Sequence, residues 1–264
     1  MRRELFDAEH EAFRESARAF IAKELAPHQQ EWEAAGMVSR DAWLAAGAQG
    51  LLGMAVEERY GGGGVDDFRF NIVLDEELVA AGVSGFGASV HNDVNLPYFA
   101  HLATEEQKQR WLPGFCSGEL ITAIAMTEPG AGSDLQGIRT TAIRDGDDYV
   151  LNGQKTFISN GILADLVIVV ARTDPDAGRE GISLLVAERG MPGFDRGRNL
   201  DKIGQKAQDT AELFFQDVRV PARNLLGEPG KGFGYLMRNL PQERLSIAAA
   251  AAASAEKVLE LTKD

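Results

Sequence analysis

Residues Ala125 to Asp134 (Ala-Met-Thr-Glu-Pro-Gly-Ala-Gly-Ser-Asp) put hydroxyls and bare backbone N–H groups on a Gly-rich turn, directly after the apolar run Leu120 to Met126. Phosphate binding needs such a turn, because glycine lets the main chain approach an anion closely and aim its donors at it. A tight strand-to-loop turn without a ligand uses the same residues, and the string alone leaves both readings open. A second stretch, Asn152 to Gly161, carries Phe157 and Ser159 at its exit; composition alone reads it as a hairpin strand. A third, Pro241-Gln242-Glu243-Arg244-Leu245, offers a carboxylate. General-base chemistry would need that carboxylate buried, whereas taken alone it reads as a surface acid in the first turn of a helix, where the dipole favours negative charge. The histidines, His10, His28, His91 and His101, are scattered without metal-ligand spacing.

The elements that must position these residues fall into three blocks. The first reads as helices. Phe13, Ala17, Phe20, Ile21 and Leu25 recur at helical spacing from an Asp7 N-cap, with a break at Pro27. A helix is expected from Asp66 to Ala81 and another from the late 80s to Leu102. Thr104-Glu105-Glu106-Gln107 reads as a capping box opening a short helix that Pro113-Gly114 ends. From Glu119 the pattern changes to strands, with runs at 120–126, 139–144, 148–151, 154–158, 166–172, 182–187 and 211–220. Asp145-Gly146 and Asn152-Gly153 between such runs are hairpin signals. Helical grammar returns at Gly232, where Leu245, Ile247, Val258, Leu259 and Leu261 imply a packed helix. The expected organisation is α+β: an N-terminal helical domain (1–118), a middle antiparallel β-barrel or sandwich domain (119–230), and the start of a C-terminal helical domain (231–264).

Composition narrows the function classes. A chain of 264 residues with 44% hydrophobic content has ample core for one large or two modest domains. Its net charge of −13 argues against nucleic acid or an anionic membrane as a principal partner. Turns and helix starts can still hold a phosphate-bearing ligand. With Cys116 as the single cysteine, no internal disulfide can form, which suggests a reducing compartment. No signal-peptide core follows Met1-Arg2-Arg3, and nowhere do about 18 apolar residues run on. A soluble, cytoplasmic protein is the expectation.

Together these stretches resemble the acyl-CoA dehydrogenase family, with wording nearest its long-chain branch. The family's flavin signature reads Thr-Glu, two residues, a small residue, then Gly-Ser-Asp, matching Thr127 to Asp134. Phe157 and Ser159 match an aromatic set flat against the flavin and a hydroxyl near its reactive nitrogen; a strand's period of two would turn both to one side. Lys202 to Thr210, Ala211 to Phe215 and Val218 to Pro221 complete the likeness and read as structural. The resemblance implies FAD as cofactor, with Met126, Thr127, Gly132, Ser133, Phe157, Ile158 and Ser159 as its contacts. Glu128 and Asp134 would brace the loop.

It also implies a reaction. A base takes a proton from Cα of an acyl-CoA thioester while a hydride leaves Cβ for FAD, giving a trans-2-enoyl-CoA as in fatty-acid β-oxidation. Some branches carry the base in a Glu-Arg pair just after the β-domain, which points to Glu243. Ser133, Arg179, Glu180 and Arg244 would face substrate. Electrons would pass to an electron-transfer flavoprotein. An acyl-CoA oxidase-like enzyme using oxygen and a non-catalytic flavin- or CoA-binding subunit are the alternatives. The family's third domain ends here inside its first helices, so a fragment, a split protein completed by another chain and a degenerate relative are all consistent with the resemblance. A homo-oligomer or a partner chain would then supply the remaining helices.

Overall fold

The computed structural model describes residues 4–263. Helix α1 (Ala8–Phe20) starts at Asp7, which caps it reciprocally with His10. It continues as a π-helical turn (Ile21–Leu25) and a 3-10 turn at Pro27 before α2 (Gln29–Ala35) and α3 (Arg40–Ala48). Helix α4 (Arg69–Ala80) begins three residues after the expected Asp66, because the Asp67 carboxylate accepts from Arg69 N at 3.0 Å and holds the chain in a turn before the first helical residue. A π-helical segment (Val90–Asn95) leads into α5 (Leu96–Leu102). Helix α6 (Glu105–Ser117) opens on the Thr104/Gln107 capping box but does not stop at Pro113. Trp111, Leu112, Phe115 and Cys116 are all buried, and that packing outweighs the hydrogen bond proline removes. Gly118, at φ +79°, ends it.

The strands are β1 (Thr122–Ala125), β2 (Thr141–Asp145), β3 (Asp148–Ser159), β4 (Leu166–Arg172), β5 (Ile182–Glu188), β6 (Phe194–Asn199), β7 (Thr210–Pro221) and β8 (Leu225–Leu226). They form one sheet in the order β6-β7-β3-β2-β4-β5-β8, with β1 beside β4. The expected antiparallel arrangement is therefore corrected to a mixed one: β1 runs parallel to β4, and β2 meets β4 parallel at Thr141↔Arg172. Fifteen residues of turn and loop (126–140) separate β1 from β2, roughly the connection that parallel strands need.

Asn152-Gly153 is not a hairpin turn. β3 runs through it, bulged against β7, and Gly153 at φ +151° sits so close to Thr140 that a Cβ would lie 2.4 Å from the threonine hydroxyl. Asp145-Gly146 does turn β2 into β3. β6 had no sequence signal, since its Phe-Asp-Arg-Gly-Arg-Asn lacks β-branched residues; it is held by Phe194 stacked on Phe215 at 4.8 Å.

After the sheet comes α7 (Gly232–Lys263), a helix that contains Pro241. Its buried positions are Gly232, Leu236, Glu243 and Ser246, packed on α4, β5 and the Val90–Asn95 segment. Leu245, Ile247, Val258, Leu259 and Leu261, expected to be packed, are exposed in this chain. No described helix is long and apolar enough to cross a membrane.

Candidate active site

The Gly-rich turn leaves β1 and doubles back at once. Glu128 and Ala131 exchange backbone bonds of 2.8 and 3.1 Å, so Pro129 and Gly130 form its tip. The Glu128 carboxylate holds the turn's other limb, accepting from Arg139 N at 2.6 Å and Thr140 N at 3.0 Å. Lys155 of β3 donates to Glu128 at 2.9 Å and to the Met126 carbonyl at 3.0 Å. Asp134 accepts from Gln136 N at 3.0 Å. These two carboxylates are thus occupied in shaping the loop. Gly132 and Ser133 are left exposed, and neither Gly130 nor Gly132 has any atom within 4 Å of where a Cβ would stand. Burial opposes both charges of the ion pair. It brings Lys155 down to about 8, while at Glu128 the lysine charge and the N–H donors outweigh burial and hold the carboxyl below its usual value.

The turn and β3 meet directly, through Thr156 N donating to Thr127 O at 2.9 Å. The next residue is Phe157, an aromatic 69% exposed on a left-handed backbone at φ +60°. Such a conformation costs a bulky residue about 1–3 kcal/mol, and the β3–β7 register slips between Lys155 and Ile158 to accommodate it. Ile158 is buried in the core between the sheet's strands, so its side chain is turned away from any ligand meeting Phe157; only its backbone is available. Ser159 is half-buried. The alternation of period two survives as exposure, not as regular strand geometry.

Glu243 lies in mid-helix, not in a first turn. Pro241, which suggested a helix start, is accommodated inside α7, so the helix dipole does not act on the carboxylate. Glu243 is 8% exposed, and burial raises its pKa; the Tyr98 hydroxyl, donating to Oε1 at 2.8 Å, and the charge of Arg244 pull the other way. The turns on either side are fastened to one residue. Gln242 donates to the Asp93 carbonyl at 3.0 Å, and the Ser246 hydroxyl to Asp93 Oδ2 at 2.6 Å. Arg244 points out of the packed face and is exposed. Arg179 and Glu180 are exposed on a 3-10 turn (Gly178–Gly181) beside the start of α7, where a Cβ on Gly230 would lie 2.4 Å from the Glu180 carbonyl.

One apolar cluster joins the parts. Met126, Ala131 and Leu135 of the turn, Leu96 and Tyr98 of α5, and Phe233 and Leu236 of α7 belong to it. Met126 and Ser133 thus lie on the same body as Glu243, while Arg179 and Glu180 stand at its edge. Sequence reasoning missed Tyr98, Asp93 and Lys155. Tyr98 and Glu243 are 145 positions apart, so no local pattern could have paired them. For Lys155 the available cue was a lysine inside the strand run 154–158; its burial shows only in the fold.

The chain matches the family model for the acyl-CoA dehydrogenase N-terminal domain over residues 7–119 and that for the acyl-CoA dehydrogenase middle domain over residues 123–218. It is 54% identical to the mitochondrial long-chain specific acyl-CoA dehydrogenase of Sus scrofa, over 99% of this chain and 61% of that protein. The crystal structure of an acyl-CoA dehydrogenase from Geobacillus kaustophilus superposes with a TM-score of 0.96 at 56% identity, covering 98% of this chain and 69% of that one. A glutaryl-CoA dehydrogenase from Mycobacterium smegmatis, solved in complex with FADH2, gives 0.87 at 32% identity, covering 97% and 64%. The chain therefore spans about 61% of the length of the curated long-chain relatives it matches.

Proposed function

This chain belongs to the acyl-CoA dehydrogenase family, and from that premise we propose that it serves the α,β-dehydrogenation of medium- to long-chain acyl-CoA thioesters, with Glu243 as the base. The observation that carries the reading is Glu243 itself: a carboxylate buried in mid-helix, raised by burial, and hydrogen-bonded among the described residues through Oε1 alone. A base of that kind is stronger than a surface glutamate and has a free oxygen for the Cα proton.

FAD is the cofactor we assign, and the residues present fit it. Phe157 holds an exposed aromatic ring on a strained backbone beside Thr127, and the open space at Gly130 and Gly132 leaves room for close approach to the main chain. When bound, FAD supplies the hydride acceptor for Cβ. Phe157 would shield one face of the ring system from water; Met126, Thr127, Gly132, Ser133, Ile158 and Ser159 would contact it through backbone groups and hydroxyls. Ser133, Arg179, Glu180 and Arg244 would meet the thioester or its CoA moiety. Glu243 would take the Cα proton onto its free oxygen, leaving a trans-2-enoyl-CoA.

An electron-transfer flavoprotein is the proposed electron acceptor. The apolar row on α7 supports a further part of the reading, that further helices, from a longer chain, a second copy or a partner chain, cover this helix in the working protein. A cytoplasmic setting accords with Cys116, which burial pushes up to about 12 and which is therefore an inert thiol. The test is product analysis. Protein loaded with FAD, palmitoyl-CoA and an artificial electron acceptor should yield the 2-enoyl thioester; none formed, with flavin bound, would contradict the proposal. Hydrogen peroxide formed in air without an acceptor would replace it with the oxidase reading.

A further inference from the structure

Glu243 must be ionised to take a proton, yet burial alone favours its protonated form. A group on the neighbouring helix opposes this in part. The Tyr98 hydroxyl donates to Oε1 of Glu243 at 2.8 Å, and Tyr98 is wholly buried, so water does not compete for the contact. We propose that Tyr98 is the positioning residue of Glu243, holding Oε1 and leaving Oε2 as the oxygen that receives the substrate proton. The inference rests on the reading of Glu243 as the base.

The surroundings support a designed contact. The hydroxyl of Tyr98 lies against Asn239 as well as Glu243, two residues one turn apart on the same face of α7. Its place in the turn is fixed, because Asp93 binds the residue before Glu243 and the one three positions after it. A phenol deep in an apolar cluster, with Phe99 beside it in sequence, would be replaceable by phenylalanine if packing were its only task.

Tyr98 stays a donor throughout. Burial and the neighbouring carboxylate push its own pKa far up, so it does not compete for the proton. Two groups act on Glu243: Tyr98 from α5 and the exposed Arg244 from its own helix. α4 brings Asp75 and the Val90–Asn95 segment brings Asp93 and His91 to the same region. Those carboxyls bond to one another, to Ser246 and to Asn71, and His91, held neutral by burial, bonds to Thr122 and Phe115.

The experiment is a carboxylate titration read by NMR on protein labelled with 13C at the glutamate side-chain carboxyl. The resonance absent from Glu243→Gln identifies Glu243, with no need of flavin or turnover. In Tyr98→Phe its midpoint should rise by about one unit, the differential worth of a hydrogen bond to a charged group. With 3-fluorotyrosine at position 98, a stronger donor, it should fall. In the FAD-loaded protein, the acid limb of acyl-CoA-dependent flavin bleaching should move with the midpoint and the rate should recover at alkaline pH. An unshifted midpoint, with a rate lowered equally at every pH, would reduce Tyr98 to packing and overturn the inference. A silent Glu243→Gln beside an unshifted Tyr98→Phe removes Tyr98 alone; a Glu243→Gln that bleaches normally removes the base reading and this inference together.

Discussion

Lys155 Nζ lies 2.9 Å from Oε1 of Glu128, with both side chains buried where β3 meets the Gly-rich turn. This pair, with the Met126 carbonyl and the N–H groups of Arg139 and Thr140, makes the turn one rigid piece with the strand that carries Phe157. Removing one member of a buried pair strands the other charge. Lys155→Met should therefore cost about 3–5 kcal/mol in urea unfolding. A loss below about 1 kcal/mol would mean that the pair is no more than a surface contact in energy.

A second buried pair should show in the pH dependence of stability. Asp75 and Asp93 lie together among α4, α7 and the segment before α5. Burial raises both, and at Asp75 the neighbouring Asp93 charge adds to it. Above the ordinary aspartate value of 3.8 the unfolded chain is ionised while the folded one retains a proton. The folded state then binds more protons, so stability falls as pH rises, by up to about 1.4 kcal/mol per unit for one retained proton. Asp75→Asn should remove that slope and leave the protein at least as stable at about pH 8. Urea midpoints taken at about pH 5 and about pH 8 decide it; equal slopes in the two proteins would contradict the retained proton.

Phe157 separates stability from function. Its ring is mostly exposed and its backbone left-handed, so the side chain contributes little burial and the main chain carries strain. Phe157→Gly should leave the flavin-free protein unchanged or stabilise it by up to about 1 kcal/mol. It should weaken FAD retention roughly tenfold, through loss of the aromatic contact. Unaltered FAD affinity would show that the ring meets something else.

What was legible in the sequence was local. The Thr104/Gln107 box, the Asp145-Gly146 turn and the Asp7 cap depend on residues within a few positions, and each forms as its pattern dictates. Punctuation misled where packing overrode it. Pro113 and Pro241 sit inside helices whose buried faces hold them, and Asn152-Gly153 is a bulge because β7 supplies partners to β3 on both sides of Asn152. β6 was invisible, since the aromatic that anchors it, Phe215, comes from the neighbouring strand β7, distant in the sequence. In the candidate site, motif wording pointed to Glu243 and the turn, whereas the groups bonded to Glu243 and its helix neighbours, Tyr98 and Asp93, come from elements distant in the chain. The helix-start reading of Glu243 failed for the same reason.

The most direct test of the account is the anaerobic absorption spectrum of the FAD-loaded protein before and after palmitoyl-CoA, for the natural chain and for Glu243→Gln. The natural chain should lose the flavin band. Glu243→Gln should bind the flavin and keep the band, reducing it at least about 10²-fold more slowly, as loss of a general base requires. Bleaching of the variant at the natural rate would contradict Glu243 as the base, and with it the central claim.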